Sequence, residues 1–333
     1  MRKIRIAQIG TSQNGHGPLI WKSLIKQTDI FEVVGYALPE GEREKFPAQV
    51  KYFDGYREMS VEEILNDPEI EAVTVETEEI YLCKYAKMAA EAGKHVHMEK
   101  PGGTDLAEFE AMIAAMKKSG KVFSAGYMYR HNPKISETMA RIARGELGEI
   151  YAVEAHMDCH HKPELKNWLS TFPGGMLFYL GCHLIDLIYR IQGEPEEILP
   201  LSCSTGFEGV TSKDYGMAVF KYKNGVSFAK TSACEPGGFL RRQLVICGEK
   251  GSIEVKPLES VVDEIHHQST LYKADSEDWN KPWECTKTEL YDRYDNMMRN
   301  FAEIVRGKEN PYSYDYELNL YKLVLRACGQ EVK

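Results

Sequence analysis

Through residue 127, short apolar runs of strand length alternate with stretches of helical periodicity, and that alternation restricts the fold more than any other feature of the chain. Residues 4–9 read as a buried strand, and the turn Gly10-Thr-Ser-Gln-Asn-Gly15-His-Gly17 leads into a helical pattern through Ile20, Leu24 and Ile25. Residues 31–38, 72–75, 95–98 and 122–127 supply the next strands. Between them lie a capping signature at Ser60-Val-Glu-Glu63, an amphipathic helix over 80–92 ended by Gly93, and another over 106–118 ended by Gly120. Strands and helices in this alternation predict a parallel, doubly wound α/β sheet of the Rossmann type. In such a sheet ligands bind beyond the carboxyl ends of the strands.

Two of those strand ends carry residues suited to a dinucleotide. Strand, glycine-rich turn and helix let backbone amides approach a pyrophosphate at a helix N-terminus. Gly10 and Gly15 take the outer glycine positions, Ser12 takes the middle one, and Gln13 and Asn14 complete the cradle. At the end of the second strand an acid would accept from the ribose 2′-hydroxyl. There the chain reads Ala37-Leu38-Pro39-Glu40-Gly41, so Glu40 is the nearest acid, Arg43 lies close by, and the cofactor is NAD or NADP.

The fourth strand runs into Glu99-Lys100-Pro101-Gly-Gly. Proline has no N–H and disfavours helix at the residue before it, so the strand stops and Lys100 is expected to point outward from the sheet's carboxyl edge.

From residue 150 the pattern changes. Residues 150–157, 216–222, 226–233, 240–247 and 252–255 alternate or run apolar between glycine turns, as antiparallel strands do, with one helix over 181–191. Residues 279–288 read as a loop, and helices over 290–306 and 316–328 close the chain. The expected organisation is a dinucleotide-binding domain over 1–127 and an α+β substrate and oligomerisation domain over 128–333 with an open, mostly antiparallel sheet, the last helix packing back on the first domain. An open sheet face is usually covered by a second copy, hence a homodimer or homotetramer.

With 41 basic against 50 acidic side chains and no basic block, the composition gives no nucleic-acid surface, and no run is long and apolar enough for a membrane span. Eight cysteines without a CxxC pair fit a reducing cytoplasm better than a disulfide framework.

Several stretches together resemble the Gfo/Idh/MocA oxidoreductases: Ile9-Gly10 with Gly15, Glu91-Ala-Gly-Lys-His-Val-His-Met-Glu-Lys-Pro101, Gly126-Tyr-Met-Tyr-Arg-His-Asn-Pro133, Gly145-Glu-Leu-Gly-Glu-Ile150, and Gly174-Gly175 through Gly181-Cys-His183-Leu-Ile-Asp186. The resemblance implies reversible hydride transfer between a nicotinamide and a hydroxyl-bearing carbon of a sugar or polyol. It makes Lys100 and His183 the catalytic pair and places Glu99 and Thr77 beside the cofactor. In the family's motif Asp-x-Gly-x-His-x-x-Asp, which ends here at His183 and Asp186, the first aspartate is replaced by Tyr179, which supplies a phenol but no carboxylate. Asp186, three residues after His183 on one helix face, would hold the imidazole tautomer or bind substrate.

A second departure is Val75-Glu76-Thr77-Glu78-Glu79, three acids expected at a helix N-terminus, where the dipole favours them. In the second half, His156, Asp158 and His160 would alternate onto one face and bind substrate or, with His183, a divalent metal; no metal is the preferred reading. Arg130 and Trp168 are further substrate-binding candidates. Two other functions stay open: a same-fold enzyme whose tightly held NAD drives glycoside cleavage, elimination or epimerisation without net redox, and a binding or regulatory protein that has lost catalysis.

Overall fold

The computed structural model describes residues 2–263, 265–278 and 280–332. Contacts divide the chain into two units, one made of residues up to Tyr127 with Tyr294–Tyr321, the other of Met128–Arg293 with the residues from Lys322 on.

In the first unit, strand β1 (Ile4–Ile9) is followed by α1 (Gly17–Lys26), β2 (Phe31–Ala37), the short helices α2 (Glu42–Lys45), α3 (Pro47–Val50) and α4 (Val61–Asn66), β3 (Ala72–Val75), α5 (Leu82–Glu91), β4 (His95–Met98), α6 (Leu106–Ser119) and β5 (Phe123–Ala125). The strands form one sheet in the order β2-β1-β3-β4-β5, every neighbouring pair parallel. This is the doubly wound fold the alternation predicts. Strands buried on both sides must be apolar throughout, and β3 and β4 show why the pattern was readable: Val73, Val75, Val96 and Met98 are fully buried. On one side Trp21 of α1 meets Tyr36 and Phe53 edge-on, at centroid distances of 5.8 and 4.9 Å. On α6, Phe109 stacks on Tyr321 at 4.2 Å.

The second unit holds α7 (Pro133–Ala143), β6 (Ile150–His156), α8 (Pro163–Trp168), a π-helical turn at Leu177–Gly181, α9 (Cys182–Gln192), β7 (Glu197–Pro200), β8 (Tyr215–Tyr222), β9 (Gly225–Ser232), β10 (Gln243–Gly248), β11 (Gly251–Val255), the two-residue strands β12 (Ser260–Val261) and β13 (His267–Gln268), β14 (Thr270–Ala274) and β15 (Glu284–Lys287). Helix α10 (Arg293–Val305) lies almost wholly in the first unit, and α11 (Tyr314–Ala327) belongs to it as far as Tyr321. Eight strands make a mixed sheet in the order β15-β14-β11-β10-β6-β9-β8-β7, antiparallel except where β6 pairs parallel with β9. Its covered face is fully buried at Val153, Ala155, Ala218, Phe220, Ala229, Leu244 and Ile246.

One expectation is corrected here. The loop over 279–288 begins at Trp279, outside the described residues, and contains strand β15, which pairs with β14. Its sequence, Glu-Cys-Thr-Lys, is mostly exposed at the sheet edge, so it carries no apolar alternation to read. Helices α7 and α8, preceded by Asn132 and Lys162, were likewise not anticipated; Asn132 caps α7 by accepting from the Lys134 and Ile135 amides.

Candidate functional site

The glycine turn after β1 is built to let another molecule approach its backbone. Gly10 has φ +88°, and a Cβ there would lie 2.3 Å from Thr77 Cγ2 and 2.8 Å from the Thr77 backbone, so no side chain fits. Ser12 serves in the middle position by closing the turn, its Oγ accepting from the Gly15 amide at 3.1 Å. Helix α1 then starts at Gly17 without a side-chain cap; Pro18 has no N–H, and the Leu19 and Ile20 amides donate to the His16 carbonyl at 2.8 and 2.9 Å. A strand, a turn without Cβ at Gly10 and Gly15, and a helix end without a side-chain cap suit a dinucleotide pyrophosphate. Behind the turn the Thr11 amide donates to Glu42 Oε2 at 3.1 Å.

Lys100 departs from its expectation. Its side chain is 3% exposed, buried at the end of β4 with Nζ 3.9 Å from Glu99 Oε1, rather than aimed into solvent. Glu99 in turn accepts from the His16 amide at 3.3 Å and faces His16 Nδ1 at 3.0 Å. Burial pushes the Glu99 carboxyl up, but His16, Lys100 and His97 outweigh it and bring it down to about 2. A permanently ionised carboxylate thus ties the lysine's strand to the start of α1.

The three acids of 76–79 do not share a helix N-terminus, because α5 starts only at Leu82, after a 3-10 turn over Glu79–Tyr81. Glu78 precedes that turn and pairs with Lys45 at 2.9 Å. Glu76 is 1% exposed at the end of β3, 3.9 Å from His97 Nε2. Burial, reinforced by Glu99, pushes its carboxyl far above the usual range, and burial brings His97 down to about 4. Both are neutral near pH 7.

At the end of β2, Glu40 adopts a left-handed conformation (φ +62°), and its Oε1 accepts from Lys84 Nζ at 2.5 Å and from the Tyr85 hydroxyl at 2.7 Å. These donors hold its carboxyl below the usual range.

In the second unit the candidate residues separate into groups. His183 opens α9, is 1% exposed and packs edge-on against Tyr129 at 5.4 Å. The Asp186 carboxylate, expected to hold that imidazole or a substrate, is gripped by Arg130: Nε lies 3.1 and 3.0 Å from its two oxygens and Nη2 lies 2.8 Å from Oδ1. Both are buried, so two proposed substrate contacts neutralise each other. Tyr179 and Trp168 join an aromatic cluster, Tyr179 stacked on Phe172 at 5.8 Å and Trp168 edge-on to Tyr179 at 5.1 Å.

The predicted row of His156, Asp158 and His160 differs in exposure from residue to residue. His156 is half-buried against Phe228, Asp158 is fully buried and bound to Lys230 at 2.9 Å, and His160 is exposed beyond the end of β6. The assigned strand ends at His156, but the Met157 and Cys159 amides carry its ladder on to the Lys230 and Ser232 carbonyls, at 3.0 and 2.9 Å. Among the described residues no group of three or more His, Cys, Asp or Glu side chains is arranged to hold a metal ion.

Comparison with known proteins decides the lineage. Residues 4–127 match the model of the oxidoreductase family with an NAD-binding Rossmann fold, and residues 135–254 match the GFO/IDH/MocA C-terminal domain. The chain belongs to the GFO/IDH/MocA oxidoreductase family. Its cofactor is accordingly NAD or NADP. The chain is 26% identical over 328 residues to the uncharacterized oxidoreductase ORF334 of Rhizobium meliloti, covering 97% of this chain and 96% of that one. It is 27% identical over 201 residues to the scyllo-inositol 2-dehydrogenase (NADP(+)) IolW of Bacillus subtilis, covering 59% of this chain and 53% of that one. Among solved structures, the 3-ketoreductase KijD10 of Actinomadura kijaniata, in complex with NADP and TDP-benzene, superposes with a TM-score of 0.76 at 18% identity, covering 97% and 96% of the two chains, a likeness of fold.

Sequence reading missed several residues that shape this GFO/IDH/MocA site: His16, Glu42, His97, Lys84 and Tyr85. Glu42 looked like one of many surface acids in Gly41-Glu-Arg-Glu-Lys45, and only the fold brings it under Thr11. Burial pushes its carboxyl up to about 9, so it is a neutral acid in the folded protein. The unfolded chain, with a value of 4.5, gives up that proton as pH rises while the folded chain keeps it. Its contribution to stability is therefore fully present below about 4.5 and is lost as pH rises through about 9. At 1.4 kcal/mol per unit the cost at neutral pH is on the order of 3 kcal/mol. Glu42→Gln, which keeps an acceptor for Thr11, is expected to raise Tm, and the gain over wild type to grow between about pH 5 and about pH 8. A gain independent of pH would show that Glu42 is ionised in the folded state.

Proposed function

We propose that the protein is an NAD(P)-dependent dehydrogenase of the CH–OH type, acting on a hydroxyl of a sugar, polyol or related carbohydrate. The observation that carries this reading is Lys100, a buried amine at the carboxyl end of β4 in the same unit as the dinucleotide turn, beside an ionised Glu99. When bound, the nicotinamide supplies the hydride acceptor. The hydroxyl must lose its proton as hydride departs, and Lys100 Nζ is the group assigned to take or share it. His183 is the second catalytic residue, with Tyr179 taking the position of the family's aspartate and no carboxylate to offer. Substrate binding by His156, His160 and Trp168 belongs to the same reading, with Asp158, Arg130 and Asp186 acting through the packing they hold. The scyllo-inositol 2-dehydrogenase of Bacillus subtilis, as a relative, supports a polyol or carbohydrate substrate.

A homodimer or homotetramer is part of the proposal, supported by the half-exposed outer face of the eight-stranded sheet. One register row there runs Leu199, Val219, Phe228, Glu154, Val245, Glu254 and Tyr272, five apolar or aromatic side chains and two glutamates. So is a cytoplasmic location, supported by the lack of disulfides among the described residues; none of the described helices is long and apolar enough to cross a membrane.

The test is titration of the purified protein with NADH and NADPH by fluorescence, after assay of denatured supernatant for released dinucleotide, followed by turnover with a panel of sugars and polyols. Binding or release of a dinucleotide with oxidation of a panel member is the expected result. Neither binding nor release would overturn the proposal.

A further inference from the structure

The loop that follows β3 spans the carboxyl edge of the first unit's sheet. Thr77 lies against the glycine turn after β1, where a Cβ on Gly10 would be 2.3 Å from its Cγ2. Two residues on, the Glu79 carbonyl lies 3.6 Å from the position of a Cβ on Gly103, in the loop that follows Lys100. The strand order β2-β1-β3-β4-β5 sets the direction in which a dinucleotide runs across this edge. With the pyrophosphate at the β1 turn and the adenosine half over β2, the nicotinamide half falls over the ends of β3 and β4, where Glu79 stands.

Glu79 is the acid at this edge that lacks a partner. It is 5% exposed, and among the described residues its carboxyl has no ion pair and no hydrogen bond besides that of its own backbone amide. The neighbouring acids are matched or neutral: Glu99 faces His16 and Lys100, Glu78 pairs with Lys45, and Glu76 is neutral with both oxygens sealed from solvent. Of the elements around Glu79, the end of β4 brings Glu99 and Lys100. Helix α5 brings Lys84, paired with Glu40, and the Cys83 thiol, which burial pushes up and keeps neutral and which feels Glu108 and Asp105 from the start of α6. The loop after β4 brings the Gly103 carbonyl, which accepts from the Tyr321 hydroxyl of α11 at 3.2 Å. Burial pushes the Glu79 carboxyl up to about 7; Glu99 and Glu78 add to that, and its own amide and Lys100 oppose it.

The nicotinamide ring is where the two redox forms of the cofactor differ, since the oxidised ring carries a positive charge and the reduced ring none. At an effective dielectric of about 20, opposite unit charges about 12 Å apart already attract by about a tenfold factor in affinity, so Glu79 need not touch the ring to tell the two apart. We propose that the Glu79 carboxylate makes this site favour the oxidised over the reduced dinucleotide, a preference switched on when the carboxyl gives up its proton. Glu79 is thereby the specificity-determining residue for redox form. The inference rests on the dehydrogenase reading above and deepens it. By linkage, the form that binds better to the ionised carboxyl must release a proton when it binds near neutral pH, and the other form must not.

Isothermal titration calorimetry of the full-length protein with NAD⁺ and NADH, and with NADP⁺ and NADPH, tests it. The affinity ratio of oxidised to reduced form is expected to rise about fivefold or more between about pH 5.5 and about pH 8.5. Binding of the oxidised form alone is expected to release protons, read from its heat in buffers of different ionisation enthalpy. Glu79→Gln, which keeps the size of the side chain and cannot ionise, is expected to give a ratio that stays at the wild type's low-pH value throughout. The ratio is the readout, because groups facing the pyrophosphate, and any general loss of packing, act on both forms alike. A wild-type ratio independent of pH would overturn the inference while leaving the dehydrogenase reading standing, as would a Glu79→Gln ratio that follows the wild type. Should Glu79→Gln fail to fold, the wild-type trend and its proton release still decide. If neither form of either dinucleotide binds, the dehydrogenase reading falls and this inference with it.

Discussion

Lys100→Met is expected to reduce turnover by on the order of a thousandfold or more while leaving dinucleotide affinity within a few-fold of wild type. Methionine is close in length and apolar, so it fills the same buried volume at the end of β4, where Lys100 is 3% exposed, and it removes only the amine. The variant leaves Glu99 buried with one cation fewer beside it, but His16 still holds that carboxylate at 3.0 Å. The separation of the two readouts is the point of the experiment. An amine that takes part in proton transfer contributes chiefly to kcat, and a merely structural lysine would change Tm and dinucleotide binding together. An active Lys100→Met enzyme would remove Lys100 from the chemical step. A variant that loses dinucleotide binding in proportion to activity would make the lysine part of the cofactor cradle instead.

Arg130→Met is expected to destabilise the protein by about 3–5 kcal/mol, because it strands the Asp186 carboxylate inside the second unit without its two-pronged partner. Taking both charges away, Arg130→Met with Asp186→Leu, is expected to recover most of that loss, since no buried charge then lacks a partner. Thermal or denaturant unfolding of the two single variants and the double variant closes the cycle, and the coupling should exceed about 1 kcal/mol. This is also the test between packing and substrate binding for these residues. If Arg130 and Asp186 served mainly as substrate contacts, the single variants would unfold like wild type and show a raised KM, with additive effects in the double variant.

How much of this was readable before the fold depends on which physical signal each residue leaves in the chain. The strands of the first unit were legible almost to the residue, since β1, β3 and β4 are short apolar runs buried on both sides, and a run of Val, Ile and Met between polar turns has few other uses. The glycine turn was legible for a related reason: at Gly10 any Cβ would collide with Thr77, so the residue type reports the approach of another backbone. Edge strand β15 and helix α8 left no such trace, because their side chains are largely exposed or irregularly buried.

The charged groups divide in the same way. That Lys100 stands at the end of a strand follows from Glu99-Lys100-Pro101 after an apolar run, and its family follows from the ordered set of motifs around it. Whether Glu99 carries a charge, whether Glu76 does, and whether Asp186 meets a guanidinium are settled by residues far away in the chain: His16 for Glu99, Glu99 for Glu76, Arg130 for Asp186. Local sequence therefore determined the strands, the turn and the lineage, all of which rest on short-range backbone and burial patterns. Only the tertiary structure decided protonation and pairing, because a carboxyl's state depends on the dielectric and the charges within a few ångströms, and those neighbours arrive from elements scores of residues apart.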